Sequence, residues 1–260
     1  MSNVRLTFLV PLVPLAASVV VLLLLSSFDR HLFALMNSCH SPITDMIWLA
    51  LTAMGDGLVL GIIVGAFIVV NPRVVAIGIP LLLLTSLLVN SIKAVFPSLR
   101  PAELLEAVHV VGPLLRSGAF PSGHAASAMA AALSVSFYFP IKPVGLAAGL
   151  AAALIGISRV FVGAHFPKDV LGGMVCAIVL FLLLSATIRP TLESRVPDRP
   201  IFGSRVFRAA FWLEIVATLF TIFVYAPYYS EYAPVPIAIG VVVLGCLAMR
   251  YESQPGQTTK

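Results

Sequence analysis

Long apolar stretches alternate with short polar connectors along this 260-residue chain. The first runs from Leu6 to Leu25 without a charged residue. Seven more follow, near 46–70, 74–96, 123–139, 143–162, 169–188, 208–227 and 234–249. Breakers and charges separate them: Asn71-Pro72-Arg73, Pro140-Ile141-Lys142-Pro143, and the segment from Arg189 to Arg208. A helix needs about 20 apolar residues to cross a bilayer core of roughly 30 Å. Runs this long lack the alternation of barrel strands, and lipid admits only helices or closed barrels. The pattern therefore predicts an all-α fold, a polytopic membrane helical bundle of about eight transmembrane helices. The first run is too long for a signal-peptide core, and Ser26-Ser27-Phe28-Asp29 after it is a poor cleavage site. It reads as a retained span.

Composition agrees with the pattern. Hydrophobic residues make up 60% of the chain and charged residues only 10%, where a soluble domain carries about a quarter. Three cysteines, Cys39, Cys176 and Cys246, fit no disulfide framework. The net charge of +5 is spread between the apolar runs instead of forming one patch, which argues against a nucleic-acid partner. With the amino terminus inside, the inner connectors receive Arg5, Arg73, Lys142, Arg189, Arg195, Arg199, Arg205, Arg208, Arg250 and Lys260. That excess predicts cytoplasmic termini. The outer side receives Arg30, Arg100, Arg116 and Lys168, with Lys93 and Arg159 near it.

The outer set includes three segments that the helix count brings to one membrane depth. Lys93 to Pro101 leaves the third run, Pro121-Ser122-Gly123-His124 enters the fourth, and Ser158 to Asp169 joins the fifth to the sixth. Lys93, Arg100 and Arg159 would repel one another near a dehydrated surface unless an anion joined them. The planar fork of arginine matches phosphate oxygens, and lysine adds a point charge. Ser122 and Gly123 stand where a helix begins, so free N–H groups and the positive end of the dipole make an anion cradle. His165 and Asp169 are four positions apart, the spacing at which a carboxylate can accept the imidazole Nδ1–H and leave Nε2 with its lone pair. His165 is then a candidate nucleophile for phosphorus, and His124 a candidate proton donor to a departing oxygen.

The order Lys-x6-Arg-Pro, then Pro-Ser-Gly-His, then Ser-Arg-x5-His-x3-Asp resembles the three-part signature of the type 2 phosphatidic acid phosphatase (lipid phosphate phosphatase) superfamily. Every signature position is met, by Lys93, Arg100, Pro101, Pro121, Ser122, Gly123, His124, Ser158, Arg159, His165 and Asp169. The resemblance covers about residues 46 to 188. It implies a six-helix catalytic bundle, no metal, no cofactor, and a phosphohistidine intermediate on His165. In that scheme His124 protonates the leaving group and Asp169 orients His165. Lys93, Arg100, Ser122, Gly123, Ser158 and Arg159 form the phosphate site. Expected substrates are membrane phospholipids or polyprenyl phosphates: undecaprenyl pyrophosphate, phosphatidylglycerol phosphate, phosphatidate or lipid A phosphates. Expected location is the bacterial inner membrane, with the site facing the periplasm or exterior.

The domain reading follows: a phosphatase core over 1–188, a cytoplasmic linker over 189–207, two extra spans over 208–250, and a disordered tail over 251–260. Two other functions use the same residues or composition. A phosphotransferase would pass the group from His165 to a second lipid, and a transporter of anionic lipids would use the buried charges without bond cleavage. His31, His40 and His109 read as structural, and Arg116 and Lys168 as interfacial anchors. Glu103 and Glu106 read as solvated loop charges. Asp56, in Met54-Gly55-Asp56-Gly57, stays open between a functional intramembrane acid and a close helix crossing.

Overall fold

The structure, a computed structural model, describes residues 21, 27–139, 143–202, 204–228 and 234–252. The expected first span and the tail from residue 253 lie outside the described residues, apart from Val21 in a helical conformation. Among the described residues every regular element is a helix. In chain order these are α1 (Phe28–Asn37), α2 (Pro42–Met54), α3 (Gly57–Gly65), a 3-10 turn (Ala66–Val69), α4 (Pro72–Val95), α5 (Pro101–Leu104) and α6 (Gly123–Tyr138). They continue with α7 (Pro143–Phe161), α8 (Pro167–Thr187), α9 (Arg189–Arg195), α10 (Arg205–Tyr228) and α11 (Pro234–Glu252).

Among the described residues, helices α4, α7, α8 and α10 are long and apolar enough to cross a membrane, and α2 with α3 and the 3-10 turn form a bent apolar pair that adds a fifth if it counts as one span. The surface of the bundle is inverted relative to a soluble protein. Leu83, Leu87, Leu146, Leu150, Leu183, Leu213, Val216 and Phe223 all point outward and are more than half exposed, as lipid-facing residues must. Packing between such helices gains little from the hydrophobic effect, because lipid tails are as apolar as leucine; close van der Waals contact takes its place. Helix α6 shows how. Its Ala125, Ala126, Ala128, Ala130, Ala131 and Ala132 are buried, and these short side chains let α3, α4, α7 and α8 all approach it. At 16 residues it is only about 24 Å long, yet it lies at the centre, where neighbours and not lipid surround it.

The run at 46–70 differs from the expected straight span. Its two helices meet at 63°, around Gly55-Asp56-Gly57. Asp56 begins the second half as N-cap, with Oδ1 accepting from Leu58 N–H at 2.8 Å. Gly55 is required because a Cβ there would come within 2.5 Å of Ile155 Cγ2 and 3.2 Å of the His124 ring. An apolar run conceals such a break, since hydropathy is unchanged across it.

The expected linker also contains structure. Helix α9 occupies its first residues and α10 starts at Arg205. Arg73, at the start of α4, donates from Nε to Val196 O (2.8 Å) and from Nη2 to Glu193 O (2.9 Å), fastening this segment to the core. The last two helices then pack on α3 and the 3-10 turn. Glu214 of α10 is buried there, and a side chain at Gly65 would collide with its carboxylate.

Candidate active site

The three motif segments converge at one end of the bundle. Arg100 precedes the short helix α5, and Pro101 at its first position needs no N–H partner. The Glu103 carboxylate accepts from Arg100 N–H (2.9 Å) and Ser117 N–H (3.0 Å), closing the loop on itself. Those two bonds hold the Glu103 carboxyl below its ordinary pKa. The loop reads from sequence as solvated charge, yet here it shapes the site. It turns backbone carbonyls onto the buried Arg100 guanidinium: Nε donates to Ser117 O (2.9 Å), Nη1 to Ala164 O (2.9 Å) and Nη2 to Gly118 O (3.4 Å). Ser117 and Gly118 both have positive φ, 56° and 59°, which aims those carbonyls.

Arg100 Nη1 is also 3.3 Å from His165 Nε2. A guanidinium only donates, so Nε2 accepts and the ring proton sits on Nδ1. His165 is 2% exposed. Burial first, then the charges of Arg159, Arg100, Lys93 and His124, hold its pKa well below the ordinary value. A neutral ring with its lone pair turned toward a cation is the state a nucleophile needs.

Asp169 lies behind the ring, with Oδ2 3.6 Å from His165 Nδ1. That is within ion-pair reach but too long for a hydrogen bond. The same oxygen accepts Phe166 N–H at 2.9 Å, while Oδ1 has no partner among the described residues. The expected Nδ1–H bond to Asp169 is therefore not made in this state; the carboxylate first caps its own helix.

Arg159 is buried, with Nη1 donating to Thr52 Oγ1 at 3.1 Å and Nε unpartnered among the described residues. Ser158 does not join it in the pocket. Its hydroxyl donates to Ile155 O (2.7 Å) and lies 2.8 Å from Thr52 Oγ1. Thr52 must then donate to Ser158 and accept from Arg159, so Ser158 braces the arginine from behind. Sequence reading missed Thr52; its signal was a hydroxyl inside an apolar run, one helical turn before Asp56.

Ser122 and Gly123 begin α6 as expected, with Ser122 N–H donating to Asp169 O at 2.8 Å. The Ser122 hydroxyl makes no cap bond and, fully buried, has no partner among the described residues. His124, half-buried in the first turn, lines two cavities. One, of about 140 Å³, also contains Arg100, Arg159, Thr52 and Asp56 under apolar residues such as Leu49 and Leu114. The other, of about 300 Å³, contains Lys93, Asn90, Ser127 and again Asp56. Lys93 is within Coulombic reach of Arg100 and Arg159.

An outer layer holds this end together. Asp29 of α1 is buried and accepts Lys168 N–H at 3.0 Å, with the Lys168 ammonium 3.6 Å from its other oxygen. Lys168 is thus an ion-pair partner in addition to an interfacial residue. Asn37 donates to both His109 O (2.8 Å) and Phe161 O (3.0 Å), tying the loop to α7. His109 Nε2 is 2.9 Å from Asp45 Oδ2 and its ring stacks on His40, the structural role expected for both.

Comparison with known proteins agrees with this geometry. The model of the PAP2 superfamily matches residues 74–191, a stretch that contains all three motif segments. The crystal structure of Aquifex aeolicus LpxE is 31% identical to the chain and superposes with a TM-score of 0.57, over 61% of this chain and 94% of that one. The chain belongs to the PAP2 superfamily. Among curated relatives, undecaprenyl-diphosphatase BcrC of Bacillus subtilis is 36% identical over 33% of this chain and 45% of its own length. Phosphatidylglycerophosphatase B of the same organism is 42% identical over 26% of this chain and 38% of its own. The aligned part thus spans less than half of either relative. This PAP2 protein is a multi-pass membrane protein whose named relatives are phosphatases. The match ends before α10, so the last two helices lie outside the family model.

Proposed function

We propose that the protein is an integral-membrane phosphatase that hydrolyses a phosphomonoester or pyrophosphate of a membrane lipid. His165 Nε2 attacks phosphorus; the bond from phosphorus to the lipid oxygen breaks and its electron pair leaves with that oxygen. His124 supplies a proton to that departing oxygen. Water then attacks the phosphohistidine, the P–N electrons return to His165, and His124 takes up the water's proton. Arg100, Arg159, Lys93, the Ser122 hydroxyl and the N–H groups at Gly123 hold the phosphoryl oxygens. Ser158 holds Arg159. Asp169 stabilises the Nδ1 proton as the ring gains charge, drawing in from 3.6 Å.

One observation carries the reading. A buried arginine fork lies 3.3 Å from a neutral histidine lone pair, and Ser122, whose N–H bonds the backbone of Asp169, has a buried hydroxyl without a partner among the described residues. An anion with several oxygens satisfies the arginine and the serine hydroxyl, and its phosphorus is the electrophile that the Nε2 lone pair can attack. The chain's own cations neutralise the charge of the phosphoryl group, so no metal is required in this scheme. Phospholipid, polyprenyl or lipid A phosphates all present that group at a membrane surface. In the proposed topology eight spans put both termini in the cytoplasm and the site on the outer face of a bacterial inner membrane. Residues 1–188 form the catalytic core, joined through 189–207 to two further spans over 208–250.

The test is phosphate release from a panel of purified lipids in detergent, with and without chelator. His165→Ala should remove all turnover, a loss of roughly 10⁴-fold or more, and the native protein should yield an acid-labile, base-stable phosphoenzyme on quenching. Retained hydrolysis in His165→Ala overturns the assignment. Label appearing in a second lipid instead of free phosphate would make the enzyme a transferase.

A further inference from the structure

We propose that Asp56 selects the charge class of the leaving group, favouring lipid monophosphates that release a neutral alcohol over lipid diphosphates that release a charged phosphate. The inference rests on the phosphohistidine reading above and adds a residue that the motifs do not contain.

In an in-line displacement the leaving group departs opposite the attacking atom. With His165 as nucleophile and His124 as proton donor, it leaves on the His124 side. Two cavities open there, and both are lined by His124 and Asp56. Whichever one takes the leaving group, Asp56 is part of its wall. It is also the sole acid among the residues lining either cavity. The broken span is what brings it there. Gly55 lies against the His124 ring, so close that a Cβ would approach it to 3.2 Å, and the 63° bend presents the next residue beside the same histidine.

Helix capping accounts for only half of this side chain. Oδ1 accepts from Leu58 N–H at 2.8 Å, and the second carboxylate oxygen has no hydrogen bond among the described residues. Serine and asparagine cap as well as aspartate, so the cap does not require a charge. The negative charge has another consequence. Arg100 and Arg159 line the smaller cavity and Lys93 the larger one; in the proposed complex these cations hold the phosphoryl group being transferred, so a second phosphate reaching past His124 would meet a carboxylate that no further cation offsets. Like charges in a partly dehydrated cleft repel more strongly than in water, and rejection by repulsion is a common source of specificity. A neutral alcohol or a hydroxyl-bearing headgroup avoids that repulsion and can donate a hydrogen bond to the free oxygen.

Farnesyl monophosphate and farnesyl diphosphate isolate the effect, since they share one tail. The measurement is kcat/KM for each, in the same detergent, for the native protein, Asp56→Asn and Asp56→Ser. Both variants keep a capping side chain and lose the charge. The native enzyme should prefer the monophosphate, and both variants should move the ratio toward the diphosphate by about tenfold. A ratio within about twofold of the native value, or equal losses on both substrates, overturns the proposal and leaves Asp56 as a helix cap. Failure of the parent reading looks different: His165→Ala would still turn over both substrates.

Discussion

The two histidines occupy opposite kinds of environment although their rings belong to one site. His165 is enclosed, with Arg100 on one nitrogen and Asp169 behind the other. His124 stands half-exposed where two cavities meet. The enclosed side is built from backbone carbonyls and buried hydroxyls, so its geometry is set before any ligand arrives. The open side has room for a group that changes from one substrate to another. A phosphoryl group is common to every candidate substrate, whereas the lipid attached to it is not. In the proposed complex the rigid half would face the constant part and the open half the variable one.

This contrast can be broken at several strengths. Beyond the complete loss expected in His165→Ala, the largest effect belongs to His124→Ala. Turnover of an alkyl phosphate should fall about 10³-fold, while an aryl phosphate with an acidic leaving group should lose far less. Equal losses on both would remove His124 from proton donation. Arg159→Lys comes next, with a drop of roughly 10²-fold in kcat/KM, because lysine's donors share one nitrogen and lack the planar fork that can hold Thr52 from one nitrogen while others reach phosphate. A Thr52→Val variant that matches it in part would sharpen the account of the brace.

The smallest effect concerns pH. His165 has a folded pKa below its unfolded value near 6.5, so the unfolded chain takes up a proton that the folded chain refuses. Folding stability should therefore decline as pH falls through about 6.5, with no contribution from this group above it. Thermal unfolding in phosphate-free detergent measures this. His165→Gln should flatten the decline, and an unchanged slope would show that the ring is not held neutral.

Much of the site is legible in the chain because its chemistry needs particular residue types at particular spacings. Lys93, Arg100, Ser122, His124, Arg159, His165 and Asp169 can all be picked out from their order as a candidate phosphate-handling set. Other features are not legible for physical reasons. Ser158 shares the motif but donates to Ile155 O and accepts from Thr52, since a hydroxyl on a buried helix bonds whichever partner is in reach. The fastening of α8 by Asp29 joins residues far apart in the chain, and no local pattern encodes such a meeting. The chelation of Arg100 by carbonyls depends on backbone dihedrals at Ser117 and Gly118, which side-chain identity only biases.

From sequence alone came the helical class, the membrane setting and the chemical character of the site. These follow from local rules: apolar length against bilayer thickness, and donor types against phosphate oxygens. Tertiary structure decided which groups are committed and which are free. It bent the second apolar run at Gly55, set Asp56 in the same cavities as His124, and left Asp169 short of its histidine. Such outcomes depend on how several helices compete for one small volume, and that competition is settled only when all of them are packed together.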